Sequence, residues 1–92
     1  MTTAVFDVDG TLIYEMGDRE DTPRYDVVDL YRKLERFGCE MWIWSGGGED
    51  YAASWAVKLG LVGARIAEKG SFVPDIAVDN EVVELGRVNI KV

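Results

Sequence analysis

The chain has 92 residues, of which 48% are hydrophobic and 29% are charged, and this composition is typical of one globular domain spanning residues 1–92. Seventeen acidic residues against ten basic residues give a formal net charge of -7, which disfavours non-specific binding to nucleic acids. The chain has no histidine and one cysteine, Cys39, so the composition excludes catalytic sites that need an imidazole and metal sites that need several thiolates.

The first predicted element is a buried strand over residues 4–9, an apolar run that ends on two acids and stops at Gly10. Because side chains alternate along a strand, Asp7 and Asp9 point to the same side. The segment from Gly10 to Thr22 is polar and acidic, which predicts a loop or a small hairpin that we call the acidic flap. Its four acidic residues are Glu15, Asp18, Glu20 and Asp21.

Two helices follow from the positions of proline, glycine and apolar residues. The first is predicted to start at Thr22, with Pro23 at its first helical position, and to end at Gly38. The second is predicted to end at Gly60. Both helices place apolar residues at positions i, i+3, i+4 and i+7 of one face. These residues are Val27, Leu30, Tyr31 and Leu34 in the first helix, and Ala52, Trp55, Ala56 and Leu59 in the second.

Four further strands are predicted, over residues 39–44, 64–67 and 75–79 and in a half-buried edge strand with Val88, Ile90 and Val92. The second strand is apolar at consecutive positions, which indicates burial on both faces and makes its tryptophans core residues. Residues 68–74 are too few for a helical crossover, so we expect an extended link there. The pattern of residues 81–85 fits either a helical turn or a strand.

Strands that alternate with helices predict an α/β fold, here a small doubly wound, Rossmann-like parallel sheet in three layers. Ligands of such sheets bind at the carboxyl ends of the strands. We therefore expect one site at these ends and on the loop before the fourth strand. The candidate residues of this site are Asp7, Asp9, Ser45, Gly46, Lys69 and Asp79.

The chemistry of these candidates points to a phosphoryl group. Carboxylates that converge without a counter-ion repel one another, and oxygen ligands without imidazole or thiolate suit Mg²⁺. Ser45 and the glycines after it open a helix whose N–H groups favour an anion, and Lys69 adds a positive charge. Together these groups predict a phosphoryl site in which Asp7 is able to act as the nucleophile.

The same residues form motifs that resemble those of the haloacid dehalogenase superfamily of phosphatases. Residues 6–12 (FDVDGTL) resemble the first motif and residues 42–46 (WIWSG) the second. Lys69 stands for the third motif, and residues 76–80 (IAVDN) resemble the fourth. The resemblance follows the family's order from residue 4 to residue 80.

The resemblance implies a haloacid dehalogenase-type fold and a Mg²⁺-dependent phosphomonoester hydrolase. Asp7 would attack phosphorus to form an aspartyl-phosphate, and Asp9 would protonate the leaving group and then activate water. Mg²⁺ would be held by Asp7, by the backbone carbonyl of Asp9 and by Asp79. The phosphate-binding residues would be Ser45, Gly46 and Lys69.

The chain departs from the family pattern at three places. The fourth motif often ends in two acids and here reads Asp79-Asn80, which leaves Asn80 and Asp75 as alternatives for a further metal ligand. The helix usually found between the third and fourth strands is missing, which bears on the placement of Lys69. Neither of the family's insertion points has room for a cap domain.

Two functional classes stay open at this stage. One is a capless phosphatase that acts on small phosphometabolites or on phosphorylated protein or nucleic-acid ends. The other is a non-catalytic phospho-ligand-binding or signalling domain on the same fold. An open site admits large substrates, and a homo-oligomer that covers the site would admit small ones. No apolar run approaches the roughly 18 residues of a membrane span, so we expect no membrane partner and a cytoplasmic location.

Overall fold

The computed structural model describes residues 1–92 and contains a five-stranded, all-parallel sheet with two helices. This architecture confirms the predicted α/β class with a parallel sheet. The strands are β1 (Thr3–Asp7), β2 (Glu40–Ser45), β3 (Arg65–Glu68), β4 (Ile76–Asp79) and β5 (Val88–Lys91), and the helices are α1 (Tyr25–Arg36) and α2 (Glu49–Lys58).

The strand order places β1 at the point where the chain reverses its direction across the sheet. The order is β3-β2-β1-β4-β5, so β1 lies between its successor β2 and the later strand β4. Phe6 pairs with Val78, one residue before the end of each strand. Asp7 and Asp79 therefore end two adjacent parallel strands, where α/β sheets form their ligand crevice.

The two faces of the sheet are covered differently. Residues of both helices join one core cluster with Phe6 and Ile43, so α1 and α2 lie on the same face. The opposite face carries Val5 and Trp44, and it is covered by non-helical segments of the chain. The prediction of three layers is therefore wrong, because the connections on that face are too short for helices and cover it with single apolar side chains. These side chains are Phe72 and Leu85.

The tryptophans belong to these two cores, as predicted. Trp44 and Trp55 are buried, with 1% and 9% of their surface exposed. Trp42 is partly buried, and its ring centroid lies 5.0 Å from that of Phe72 on the link after β3. This link contains no helix or strand, and the aromatic contact fixes its path across the sheet.

The acidic flap is a small hairpin, as predicted, but its end differs from the prediction. Tyr14 N donates to Thr22 O, and Asp21 N donates back to Tyr14 O, each at 2.9 Å. The Thr22 hydroxyl donates to a flap carbonyl, and Pro23 pairs with Ile13, so both residues close the flap and α1 begins only at Tyr25. The flap holds Thr22 outside the helix because it satisfies the N–H, the carbonyl and the hydroxyl of that residue.

The chain after β4 also differs from the prediction. Residues 81–85 form neither a helical turn nor a strand, and they return the chain across the sheet to β5. Gly86 makes this path possible, since a Cβ atom there would lie 2.9 Å from the backbone nitrogen of Ala77. The final strand lies at the edge of the sheet, as predicted, but it is more exposed than the predicted half-buried strand, because Ile90 is partly buried whereas Val88 is 54% exposed. Neither α1 nor α2 has the length and apolar surface to cross a bilayer.

Candidate active site

Three predicted site residues form an ion cluster at the ends of β1 and β4. Lys69 Nζ lies 3.1 Å from Asp7 Oδ1 and 3.0 Å from Asp79 Oδ2. The two acidic side chains are only 7% and 4% exposed, and the lysine side chain is 27% exposed. The short non-helical link after β3 thus brings Lys69 to both carboxylates, so the missing helix does not displace it from the site.

Burial sets the ionisation of this cluster. Burial, and then the neighbouring Asp79, raise the pKa of Asp7 to about 6, although Lys69 opposes the shift. Burial disfavours the charge of Lys69, but the contacts with Asp79 and Asp7 outweigh it and the pKa of the lysine is raised. At neutral pH Asp7 is therefore mainly a carboxylate, the form that a nucleophile requires.

The donor set fits a divalent cation beside this cluster. Asp79 Oδ1 accepts a hydrogen bond of 3.0 Å from Glu81 N. Asp79 Oδ2 is buried, and Lys69 Nζ forms an ion pair with it at 3.0 Å. Two carboxylates at the ends of adjacent strands are oxygen ligands of the kind that Mg²⁺ prefers. No group of three acidic or thiol side chains is arranged to hold a metal, so the remaining ligands would be backbone oxygen and water.

Asn80 acts as a hydrogen-bond donor next to this cluster. With its carboxamide oriented so that oxygen and nitrogen each meet a suitable partner, Asn80 Nδ2 donates to the Asp9 carbonyl at 2.9 Å and to Asp79 Oδ1 at 3.2 Å. Gly10 has a φ of +75°, and a Cβ atom there would overlap the Asn80 carboxamide. Asn80 therefore braces the turn after β1, a task that a second carboxylate could not perform.

Asp75, the other alternative for a metal ligand, lies away from the site. It precedes β4, whereas the site lies at the carboxyl end of that strand. Its carboxylate accepts a 2.9 Å hydrogen bond from the backbone N–H of Thr3, at the start of β1. This bond and the one from the Thr3 hydroxyl lower the pKa of Asp75. Asp75 therefore ties together the amino-terminal ends of β1 and β4, at the side of the sheet opposite to the site.

Asp9 has a partner that the sequence analysis missed. Tyr51 Oη donates a 2.6 Å hydrogen bond to Asp9 Oδ1, and this bond raises the pKa of Tyr51 to about 12. Tyr51 lies in the first turn of α2, directly after the glycine run. A helix that starts beside the strand ends projects its first-turn residues toward the site, and this position was the available signal.

Ser45 and Gly46 differ in how they meet the cleft. Ser45 is 2% exposed, and its Oγ accepts a 3.0 Å hydrogen bond from Gly47 N, so it closes the turn between β2 and α2. Gly46 lies on the surface of the cleft. The predicted phosphate contact of Ser45 thus depends on its remaining hydroxyl proton, whereas Gly46 is directly accessible.

Four of the six candidate residues, Asp7, Asp9, Gly46 and Lys69, line a polar cleft of about 150 Å³, whereas Ser45 and Asp79 do not. A larger groove of about 380 Å³ between α2 and β3 has an almost entirely apolar lining and contains none of the candidate residues. The volume of a pocket therefore does not identify the candidate active site in this chain. The cleft is lined by Asp7, Asp9, Glu15, Gly46, Lys69, Asn80 and Glu81.

Comparison of the chain with protein-family models, with curated proteins and with solved structures gives no match. The function of the chain is therefore inferred from the site geometry and from the motif resemblance.

Proposed function

We propose that the chain is a Mg²⁺-dependent phosphomonoester hydrolase without a cap, on a haloacid dehalogenase-type fold. The observation that supports this proposal most directly is the contact of Lys69 with both Asp7 and Asp79, at the carboxyl ends of two adjacent strands. Asp9, two residues further along, lines the same cleft as Asp7 and Lys69. A nucleophile, a cation and a second acid thus meet around one small polar space.

In the first half-reaction, Asp7 forms a bond to phosphorus while the bond from phosphorus to the ester oxygen breaks. Asp9 gives its proton to that oxygen, so the alcohol leaves neutral and Asp9 becomes a carboxylate. Mg²⁺, when bound by Asp7, Asp79 and the Asp9 carbonyl, would supply charge neutralisation between the nucleophile and the phosphoryl oxygens. The Lys69 ammonium supplies a further positive charge to the same oxygens.

In the second half-reaction, the Asp9 carboxylate takes a proton from water. The water oxygen bonds to phosphorus, the bond from Asp7 to phosphorus breaks, and inorganic phosphate is released. Asp7 returns as a carboxylate and Asp9 as an acid, so the site is restored. Gly46, at the surface of the cleft, leaves room for the phosphoryl group beside the start of α2.

The test is phosphate release from p-nitrophenyl phosphate, measured with Mg²⁺ and with excess chelator. We expect release only with the metal, and none from the Asp7→Asn variant, because an amide is a far poorer nucleophile than a carboxylate. Lys33→Met is a control for purification and folding, since Lys33 lies on α1 away from the cleft. Release by Asp7→Asn at the wild-type rate would contradict the proposed mechanism.

A non-catalytic phospho-ligand-binding or signalling domain is the second candidate. The observation that favours it is the use of Asn80 as a hydrogen-bond donor where the family often has a second acid. Such a domain would bind inorganic phosphate or a phosphopeptide in calorimetry and release no phosphate from any ester.

The open cleft supports a broad range of substrates. With no cap over the cleft, phosphorylated protein and nucleic-acid ends are proposed as substrates alongside small phosphometabolites. A second copy of the chain over the cleft would restrict it to small substrates. We propose a cytoplasmic location for this activity.

A further inference from the structure

The Asp9 carboxylate is held by one contact from α2. The 2.6 Å hydrogen bond from Tyr51 Oη to Asp9 Oδ1 is the only hydrogen bond of the Asp9 side chain to another group of the chain. Asp9 is partly exposed, and it lines the cleft that contains the nucleophile. Without this contact, nothing in the chain would fix the rotamer of the group that must reach the leaving oxygen.

Tyr51 is itself fixed by its helix. It lies in α2, which is anchored in the core by the buried Ala52 and Trp55. Gly47 packs against the tyrosine ring so closely that a Cβ atom there would be 3.1 Å from it. The hydroxyl is thus presented from a rigid element, the arrangement that positions a functional group most accurately.

We propose that Tyr51 is the positioning residue of the general acid and base Asp9, an inference that rests on the proposed phosphatase function. Tyr51 donates to Oδ1, which leaves Oδ2 as the oxygen that carries the mobile proton. When Oδ2 gives this proton to the ester oxygen, the new charge of the carboxylate is stabilised by the Tyr51 hydroxyl. When Oδ2 takes a proton from water, the same hydroxyl keeps the carboxylate aimed at phosphorus.

The experiment uses Tyr51→Phe, which removes the hydroxyl and keeps the ring against Gly47. The kcat/KM is measured for phenyl phosphate, a poor leaving group, and for 2,4-dinitrophenyl phosphate, which departs without protonation. A general acid contributes roughly 10²- to 10⁴-fold, and loss of its positioning should remove about 10-fold or more with phenyl phosphate. With the activated ester we expect a change of less than about 3-fold, because proton donation contributes little there.

Tyr25→Phe is the matched control, because Tyr25 is 69% exposed and its hydroxyl makes no hydrogen bond. It should change neither value. Equal losses of Tyr51→Phe with both esters would overturn the inference, since a general disturbance of the site does not depend on the leaving group. Circular dichroism and the Tm of each variant establish that the fold is intact.

The second measurement combines Tyr51→Phe with Asp9→Asn in single turnovers of phenyl phosphate. If Tyr51 acts through Asp9, its substitution has no further effect once Asp9 has lost its proton-transfer role, so the two losses are not additive. Additive losses would overturn the inference while leaving the phosphatase proposal intact. A wild-type chain that releases no phosphate from either ester with Mg²⁺ contradicts the proposed function and, with it, this role of Tyr51.

Discussion

The two carboxylates at the end of β1 are two residues apart and lie in different surroundings. Asp7 is buried beside Lys69, which also contacts Asp79, and the pKa of Asp7 is raised to about 6 by burial and by the neighbouring acid. Asp9 is partly exposed beside the cleft and accepts a hydrogen bond from Tyr51. One half of the site is therefore a dense ion cluster, and the other half is a single oriented carboxylate.

This difference supports the two roles that we propose for Asp7 and Asp9. A buried carboxylate beside a fixed cation suits covalent attack and metal binding, because its position and charge are constrained. A carboxylate that touches water and one hydroxyl is able to lose and regain a proton during turnover. The separate tasks proposed for these two acids thus match their different surroundings.

Among variants that keep the nucleophile, the largest expected effect is on the Asp9 half of the site. Asp9→Asn should slow turnover by roughly 10²- to 10⁴-fold, the usual contribution of a general acid and base, and leave the affinity for inorganic phosphate nearly unchanged. Turnover is measured with phenyl phosphate and affinity by calorimetry. Comparable losses of turnover and affinity would assign Asp9 to binding and break the comparison.

Removal of the positive charge of Lys69 should affect the Asp7 half of the site alone. Lys69→Met leaves two buried carboxylates without a positive partner, and we expect the free energy of unfolding at pH 7 in chelator to fall by about 2–3 kcal/mol. Tyr51→Phe should change that stability by less than about 1 kcal/mol, because Asp9 is partly hydrated. Urea unfolding of both variants gives the values. Equal destabilisation would show that the two carboxylates are held alike.

The raised pKa of Asp7 predicts a pH dependence of stability with a definite sign. Asp7 titrates at about 6 in the folded chain and near 3.8 otherwise, so the folded state binds its proton first as the pH falls. Its charge costs stability above pH 6, and this cost disappears as the pH falls from about 6 to 4. Asp7→Asn should therefore be more stable than the wild type at pH 7 by roughly 2–3 kcal/mol in chelator.

The gain of Asp7→Asn should vanish near pH 4, and urea unfolding at several pH values measures it. The difference in stability between the two proteins isolates the contribution of Asp7 from that of groups whose pKa shifts in the opposite direction. One such group is Asp75, whose lowered pKa stabilises the fold at neutral pH. A stability difference that does not change with pH would mean that the pKa of Asp7 is not raised by its surroundings. The contrast with Asp9 would then disappear.

The smallest effect concerns the entrance to the cleft. Of the four acidic residues of the flap, Glu15 lines the cleft and the others do not. Glu15→Gln should raise kcat/KM for an anionic ester by about 2- to 5-fold at 0.01 M salt, where the Debye length is roughly 30 Å, and less at 0.15 M. Glu20→Gln, an exposed flap position outside the cleft, is the control. Equal gains from both variants would mean that total charge, and not the position of Glu15, governs entry.

Local patterns in the sequence determined the elements and the ends of strands that carry the acids. Apolar runs with acidic ends identify β1 and β4 because buried parallel strands need apolar side chains throughout and tolerate charge only where they end. The first turn of α1 was misplaced because Thr22 and Pro23 find better partners in the flap. The sequence predicted that β2 is buried on both faces, but it did not show which segments of the chain cover each face.

Contacts between distant segments decided the rest of the site. Lys69 and Asp7 are 62 positions apart, and Tyr51 and Asp9 are 42 positions apart, so no local pattern links either pair. The strand order brings the ends of β1 and β4 together, and the start of α2 brings Tyr51 to Asp9. The residue types fixed which chemistry is available, whereas burial and the packing of these elements determined the ionisation of Asp7 and the orientation of Asp9.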